Sequence, residues 1–155
     1  YLEEYQHYRD ENNRLAKGQP AVPFTFQDVD GKEVSLSDLK GKYVYIDVWA
    51  TWCGPCKMEI PYLKKLEEKL HGRNIYFVSI SCDESKEAWL KFVKDEKLGG
   101  IQLNTGGDQS FMQAILCHGI PRFLLIDKDG NYINANMSRP SEPETLKILE
   151  SLPGL

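Results

Sequence analysis

The sequence predicts an α/β domain with a mixed central sheet flanked by helices, and three observations carry that prediction. Two apolar runs, residues 42–50 and 74–80, have strand length and are rich in β-branched and aromatic residues. Between them Met58, Tyr62, Leu63, Leu66 and Leu70 recur at helical spacing with Lys and Glu interspersed, so strand, helix and strand make a βαβ unit with a parallel pair. Hairpin signals on both sides of this unit add antiparallel strands.

Taken in order, residues 1–17 place Tyr1, Tyr5, Tyr8 and Leu15 near one helical face, and Gly18 followed by Pro20 ends that helix. Segment 1–19 either packs on the domain or connects it to something before it; residues 20–155 are the domain itself. Residues 22–27 alternate, residues 28–31 (Asp-Val-Asp-Gly) offer a turn, and residues 32–36 return, which predicts an N-terminal β-hairpin. Residues 37–41 make a short helical turn into the central strand. After the second strand, Asp83 is placed to cap a helix running to about Lys97, with Ala88, Trp89, Phe92 and Val93 as its apolar side and Gly99-Gly100 closing it. Residues 101–104 form a short strand, so this stretch is a helix-strand insertion. A further helix spans about 108–116. Residues 122–127 and 132–136 make a second hairpin around Asp129-Gly130, and a helix over about 143–151 ends the fold.

A chain of 155 residues that is 41% hydrophobic and 11% aromatic can bury a core as one domain without a staple. The net charge of −4 and the lack of any Lys/Arg cluster argue against nucleic acid as a partner. No run of 18 apolar residues occurs. A start at Tyr1 is expected of a trimmed or mature chain, from which any export signal or lipid anchor would be missing, so the start does not report a compartment.

The chemistry concentrates at Trp52-Cys53-Gly54-Pro55-Cys56-Lys57, directly after the first long strand and at the start of the helix. A thiol with an ordinary pKa of about 8.5 is only a few per cent ionised at neutral pH, whereas a helix N-terminus favours the thiolate and brings such sites to about 7. Cys53 is therefore the attacking sulfur. Cys56, one turn inside the helix and less accessible, is placed to resolve a mixed disulfide. Trp52, beside Cys53, shields the disulfide and meets substrate, whereas Trp49 belongs to the core. Lys57 points to water, and Pro61 should kink the helix.

These residues resemble the thioredoxin fold, and more closely the TlpA/ResA-like thiol-disulfide oxidoreductases of bacteria. Trp52 to Lys57 looks like the thioredoxin active site, and Gly119-Ile120-Pro121 before the strand from Arg122 looks like the segment whose cis-proline faces the cysteines. The hairpin before the central strand and the insertion over about 84–105 are like the additions of the ResA-like branch. The resemblance covers about residues 20–152. It implies that Gly54, Pro55, Ile120 and Pro121, with Trp52, meet an extended substrate segment, which pairs with the main chain of Ile120 as an added strand. It also implies protein disulfides as substrates, an upstream thiol reductant, an electron donor in the membrane, and an extracytoplasmic setting; no cofactor and no metal are expected.

Two carboxyls join the cysteines as catalytic candidates. Asp47 lies on an otherwise apolar strand and matches the buried acid of thioredoxins, poised to take the proton of Cys56 directly or through one water; the alternative is a carboxylate that reaches solvent at the strand end. Glu59, three residues after Cys56 on the same helical face, matches the Glu of the ResA-like Cys-x-x-Cys-x-x-Glu pattern, or else is an ordinary solvated residue. Relatives with that Glu mostly carry a neutral residue at the position of Asp47, so carrying both departs from the pattern. Arg122 stands where thioredoxins have Thr; solvation is the leading reading and attraction of acidic substrates the other. Cys82 and Cys117 are expected as buried apolar filler, with a second disulfide or a regulatory thiol as alternatives. The spacing of Cys and His suits no zinc site. Against exchange of protein disulfides stand a redox-sensing or binding module of a larger protein, and a thiol peroxidase. The peroxidase pattern Pro-x-x-x-Thr-x-x-Cys is absent.

Overall fold

The structure is a computed structural model and describes residues 14–155. The helix expected over residues 1–17 falls almost entirely outside them. Seven strands form one sheet in the order β2-β1-β5-β4-β3-β6-β7. The hairpin pairs β1 (Thr25–Asp28) with β2 (Glu33–Ser35), and a single 3-10 turn, Leu36–Leu39, leads on to β3 (Tyr43–Trp49). β3 is the middle of the fold. It runs parallel to β4 (Ile75–Ser81) on one side and antiparallel to β6 (Arg122–Ile126) on the other.

All seven residues of β3 are buried, and the two-residue period of the strand separates them into two cores. Val44, Ile46 and Val48 pack with Val78, Ile80, Leu103 and Leu124 on one face. Tyr43 and Tyr45 lie on the other, with Phe77, Phe123 and Leu125 from the neighbouring strands. That second face receives Leu63 and Leu66 of α1 (Gly54–Lys69) and Leu149 of α4 (Pro143–Glu150). Each such side chain contributes about 1.5–3 kcal/mol by leaving water. Asp47 and Trp49 share the parity of Tyr43 and Tyr45, so both project toward α1; this register decides what surrounds the acid.

α2 (Lys86–Asp95) begins later than expected. Its cap is Ser85, whose Oγ accepts from the Ala88 N–H at 3.2 Å, and not Asp83, which is buried and bonded elsewhere. β5 (Ile101–Asn104) joins the parallel β4 to the antiparallel hairpin, and thereby welds the insertion into the sheet. α3 is a short helix, Ser110–Ala114, and β7 (Tyr132–Asn134) completes the second hairpin. Residues before β1 also belong to the packing: Gly18 N–H donates to the Tyr132 carbonyl at 2.8 Å, and Leu15 packs against the Val44 core. α1 is continuous through Pro61.

Candidate active site

Cys53 is the N-cap of α1. Its Sγ accepts from the Cys56 N–H at 3.2 Å and its carbonyl from the Lys57 N–H at 3.1 Å, so the sulfur occupies the place of a capping oxygen. Pro55 stands in the first turn, where its missing N–H costs nothing. No acidic side chain competes for the positive end of the helix there. Cys53 and Cys56 form a disulfide with Cα atoms 5.3 Å apart. Both sulfur-bearing residues are nearly covered, at 6% and 4% exposure, so accessibility does not separate them; their surroundings do.

Cys53 lies between exposed residues at the start of the helix. Its Sγ lies 3.9 Å from the Ile120 carbonyl oxygen, in the loop whose Ile120–Pro121 bond is cis. Trp52 is 69% exposed, Gly54 and Pro55 are exposed, and Met58 and Tyr62 continue an apolar strip along α1. Beside Trp52 and Ile120 opens a groove of about 580 Å³, with Ala88 and Met112 on its walls. Cys82 and Cys117 line this groove as half-buried free thiols, which corrects the expectation of buried filler. Burial first, then Asp83, pushes the Cys82 thiol upward, away from the reactive thiolate.

Cys56 faces inward. It borders a small cavity shared with Asp47 and Glu59. Asp47 does not reach solvent: it is 7% exposed, its Oδ1 accepts from Ser79 Oγ at 2.6 Å, and burial pushes its carboxyl up to about 7. The hydrogen bond from Ser79 works in the opposite direction and loses to desolvation. Glu59 is likewise buried, not solvated, and both its oxygens are engaged, accepting from Ser141 N–H and Ser141 Oγ at 2.9 Å each. It ties the loop before α4 to the helix that carries the cysteines.

Arg122 corrects the sequence reading. Its guanidinium is half-buried and donates to the carbonyls of Ala135 at 2.9 Å and Ile115 at 3.0 Å, which fastens the strand after Pro121 to the end of α3. Committed to these carbonyls, it is not the freely solvated side chain expected, and it is not free to attract an acidic substrate. Lys57 stays exposed, as expected, with Nζ 5.9 Å from the centre of the Phe92 ring.

Residues 16–151 match the redoxin family. A ResA thiol-disulfide oxidoreductase of Bacillus cereus is 33% identical over 149 residues, covering 96% of this chain and 85% of that protein. The chain belongs to the redoxin family, among its ResA-like thiol-disulfide oxidoreductases. Its likeness to solved thiol-disulfide oxidoreductases covers most of the chain. A solution structure described as a thiol-disulfide oxidoreductase from Bacteroides vulgatus is 55% identical, with a TM-score of 0.77 over 88% of this chain and 93% of that one. The crystal structure of the thioredoxin domain of another thiol-disulfide oxidoreductase from that organism is 30% identical, with a TM-score of 0.80 over 88% and 96%.

Sequence reasoning missed a third carboxylate at this redoxin site. Asp83 is 2% exposed and accepts from Thr51 N–H at 3.1 Å, from Thr51 Oγ at 2.7 Å and from Ser81 Oγ. Asn104 Nδ2 donates to its carbonyl at 3.0 Å. This network pins the residue two places before Cys53 to the ends of β4 and β5. The available signal was that one helix had two capping candidates, Asp83 and Ser85; the spare one had to serve elsewhere. Glu67 was missed as well, although its spacing from Glu59 and Leu63 puts it on the same helical face.

Proposed function

We propose that the domain reduces disulfides in protein substrates, with Cys53 attacking and Cys56 resolving. The observation that carries this reading is the placement of Cys53 as helix cap, 3.9 Å from the Ile120 carbonyl, with Trp52 exposed beside it. In the reduced protein the helix end favours the Cys53 thiolate. The thiolate attacks one sulfur of the substrate disulfide and the other leaves as a thiolate, giving a mixed disulfide. Cys56 then gives its proton to Asp47 and attacks Cys53 Sγ. The Cys53–Cys56 bond forms, the second substrate sulfur leaves with the electron pair, and the protein holds the disulfide. Two electrons have gone to the substrate; an upstream dithiol returns them.

The substrate segment lies across Trp52, Gly54, Pro55 and Pro121 and pairs with the main chain of Ile120, which makes recognition weakly dependent on sequence. Glu59 acts by holding the helix and the Ser141 loop in register beneath Cys56. The direction rests on Gly-Pro between the cysteines, which matches thioredoxin, at about −270 mV, and not the oxidant DsbA, at about −120 mV. That gap of about 150 mV is roughly 7 kcal/mol for two electrons. Residues 20–155 form the exchanging unit, on which Leu15 and Gly18 of the preceding segment pack. The work is extracytoplasmic, fed by a membrane donor. Among the described residues no helix is long and apolar enough to cross a membrane.

A Cys56→Ser variant tests the order of events. Exposed to a protein disulfide, it should accumulate a mixed disulfide on Cys53, while Cys53→Ser accumulates none. Adducts formed on Cys56 instead, or turnover of hydrogen peroxide with no protein disulfide consumed, would overturn the proposal.

A further inference from the structure

The cavity behind the disulfide shares no lining residue with the Trp52 groove. It measures about 20 Å³ and is walled by Asp47, Trp49, Cys56, Lys64, Glu67 and Gln102, among others. That is room for about one water. Two buried polar atoms on its wall have no hydrogen-bond partner among the described residues: Trp49 Nε1, a donor, and Gln102 Oε1, an acceptor. Both residues are more than nine-tenths buried. The Gln102 amide N–H donates to the Gly99 carbonyl at 2.8 Å, which fixes the side chain and leaves its oxygen over. A space of this size bordered by residues with a spare buried donor and a spare buried acceptor is what an internal water requires, and Asp47, whose Oδ1 accepts from Ser79, adds a third partner.

The cavity has an outer wall as well as an inner one. Glu67 is half-buried, and its carboxylate rests against the Gly99-Gly100 backbone. A Cβ at Gly99 would stand 2.9 Å from Glu67 Oε2, and one at Gly100 would stand 3.2 Å from Oε1. The two glycines clear the space that this carboxylate occupies. Lys64, also on the wall, is exposed, and its Nζ donates to the Glu96 carbonyl at 2.7 Å.

We propose that Glu67, through a water held by Gln102 and Trp49, is the outlet by which Asp47 exchanges its proton with solvent. This rests on the reading above that Asp47 takes the proton of Cys56. In the mixed disulfide Asp47 can take the Cys56 proton only as a carboxylate, so a protonated Asp47 first gives its proton to the water, the water passes one to Glu67, and Glu67 releases it to solvent. The Asp47 carboxylate is restored, and no electrons move in these steps.

The other groups around Asp47 do not offer this route. Glu59 has both oxygens taken by Ser141, and the Tyr45 hydroxyl donates to the Ser138 carbonyl at 2.9 Å. β4 contributes Ser79, β5 the neutral Gln102, and the β6 side the apolar Pro121 and Phe123. Glu67 also raises the Asp47 carboxyl electrostatically, as a like charge across the cavity does.

The test measures release of the substrate thiol from the Cys53 mixed disulfide by stopped flow across pH, in the full chain and in Glu67→Gln, Gln102→Leu and Asp47→Asn. Glu67→Gln and Gln102→Leu should each slow this step about tenfold near neutral pH, and millimolar formate should restore most of the rate in Glu67→Gln. The Asp47 titration, followed by carboxyl carbon NMR, should move to lower pH in Glu67→Gln. If Asp47→Asn is slow while Glu67→Gln and Gln102→Leu keep the normal profile, the outlet is overturned and the role of Asp47 stands. If Asp47→Asn is as fast as the unmodified chain, the reading of Asp47 falls, and the outlet falls with it. Should one relay variant fail to fold, the other decides.

Discussion

Asp47 stores an unfavourable burial that the rest of the site exploits. Its carboxyl is pushed from 3.8 to about 7, chiefly by desolvation. Between these values the folded protein keeps a proton that the unfolded chain has already lost. Stability is therefore complete below about pH 4 and falls as pH rises through about 7, by on the order of 4 kcal/mol. Asp47→Asn should remove that slope in the oxidised protein and raise stability at about pH 8 by a few kcal/mol, with no gain near pH 4. Urea unfolding at both pH values checks this; an unchanged slope would contradict it. Asp83 is held differently, by hydrogen bonds from Thr51 and Ser81. Truncating it in Asp83→Ala leaves Thr51 and Ser81 donors stranded and should cost about 3 kcal/mol, read from the urea midpoint. Sequence made Asp47 conspicuous as the one acid on an apolar strand. Asp83 was invisible as an anchor, because its partners at Thr51, Ser81 and Asn104 converge only after β3, β4 and β5 pair.

At the scale of elements, α1 does two tasks at its two ends. Its N-terminus carries Cys53 between exposed residues, and its later turns place Glu59, Leu63 and Glu67 over the second face of the sheet. Where the helix meets the segment before β5, Gly100 adopts φ +65, and a Cβ there would stand 2.7 Å from the Phe77 carbonyl. Gly100→Ala should therefore destabilise by about 2 kcal/mol or more, through backbone strain and displacement of Glu67, visible in thermal unfolding. The start of α2 offers a milder case, where Ser85→Ala should cost about 1 kcal/mol by removing the cap. The pattern of Trp89 and Val93 fixed the apolar face of α2, but not which of two polar residues began it. Such boundaries are set by where a chain leaves the preceding strand. Here the buried contacts of Asp83 hold the chain at the end of β4, and the helix starts two residues later.

Across the whole molecule, the disulfide separates a wet side from a dry one. In the proposed reading the 580 Å³ groove beside Trp52 and Ile120 receives substrate, while Asp47, Gln102 and Glu67, around the inner cavity, manage protons. The fold was legible because its strands have unbroken apolar runs and its turns have Gly and Asp at the required places. The outer half of the site was legible because it is continuous in sequence, from Trp52 to Lys57 and from Gly119 to Pro121. The inner half was only partly so: its walls come from β3, α1, β4 and β5, and nothing in one strand announces that Gln102 will face Asp47. The division of labour has one consequence above the others, which is that the Cys53/Cys56 pair is a reductant. Its reduction potential, found by equilibration with dithiothreitol and glutathione buffers, tests that claim most directly. A value below about −230 mV is the result expected of a dithiol that gives electrons to substrates. A value above about −180 mV would mean that the pair oxidises or isomerises its partners, and the assigned direction would be contradicted.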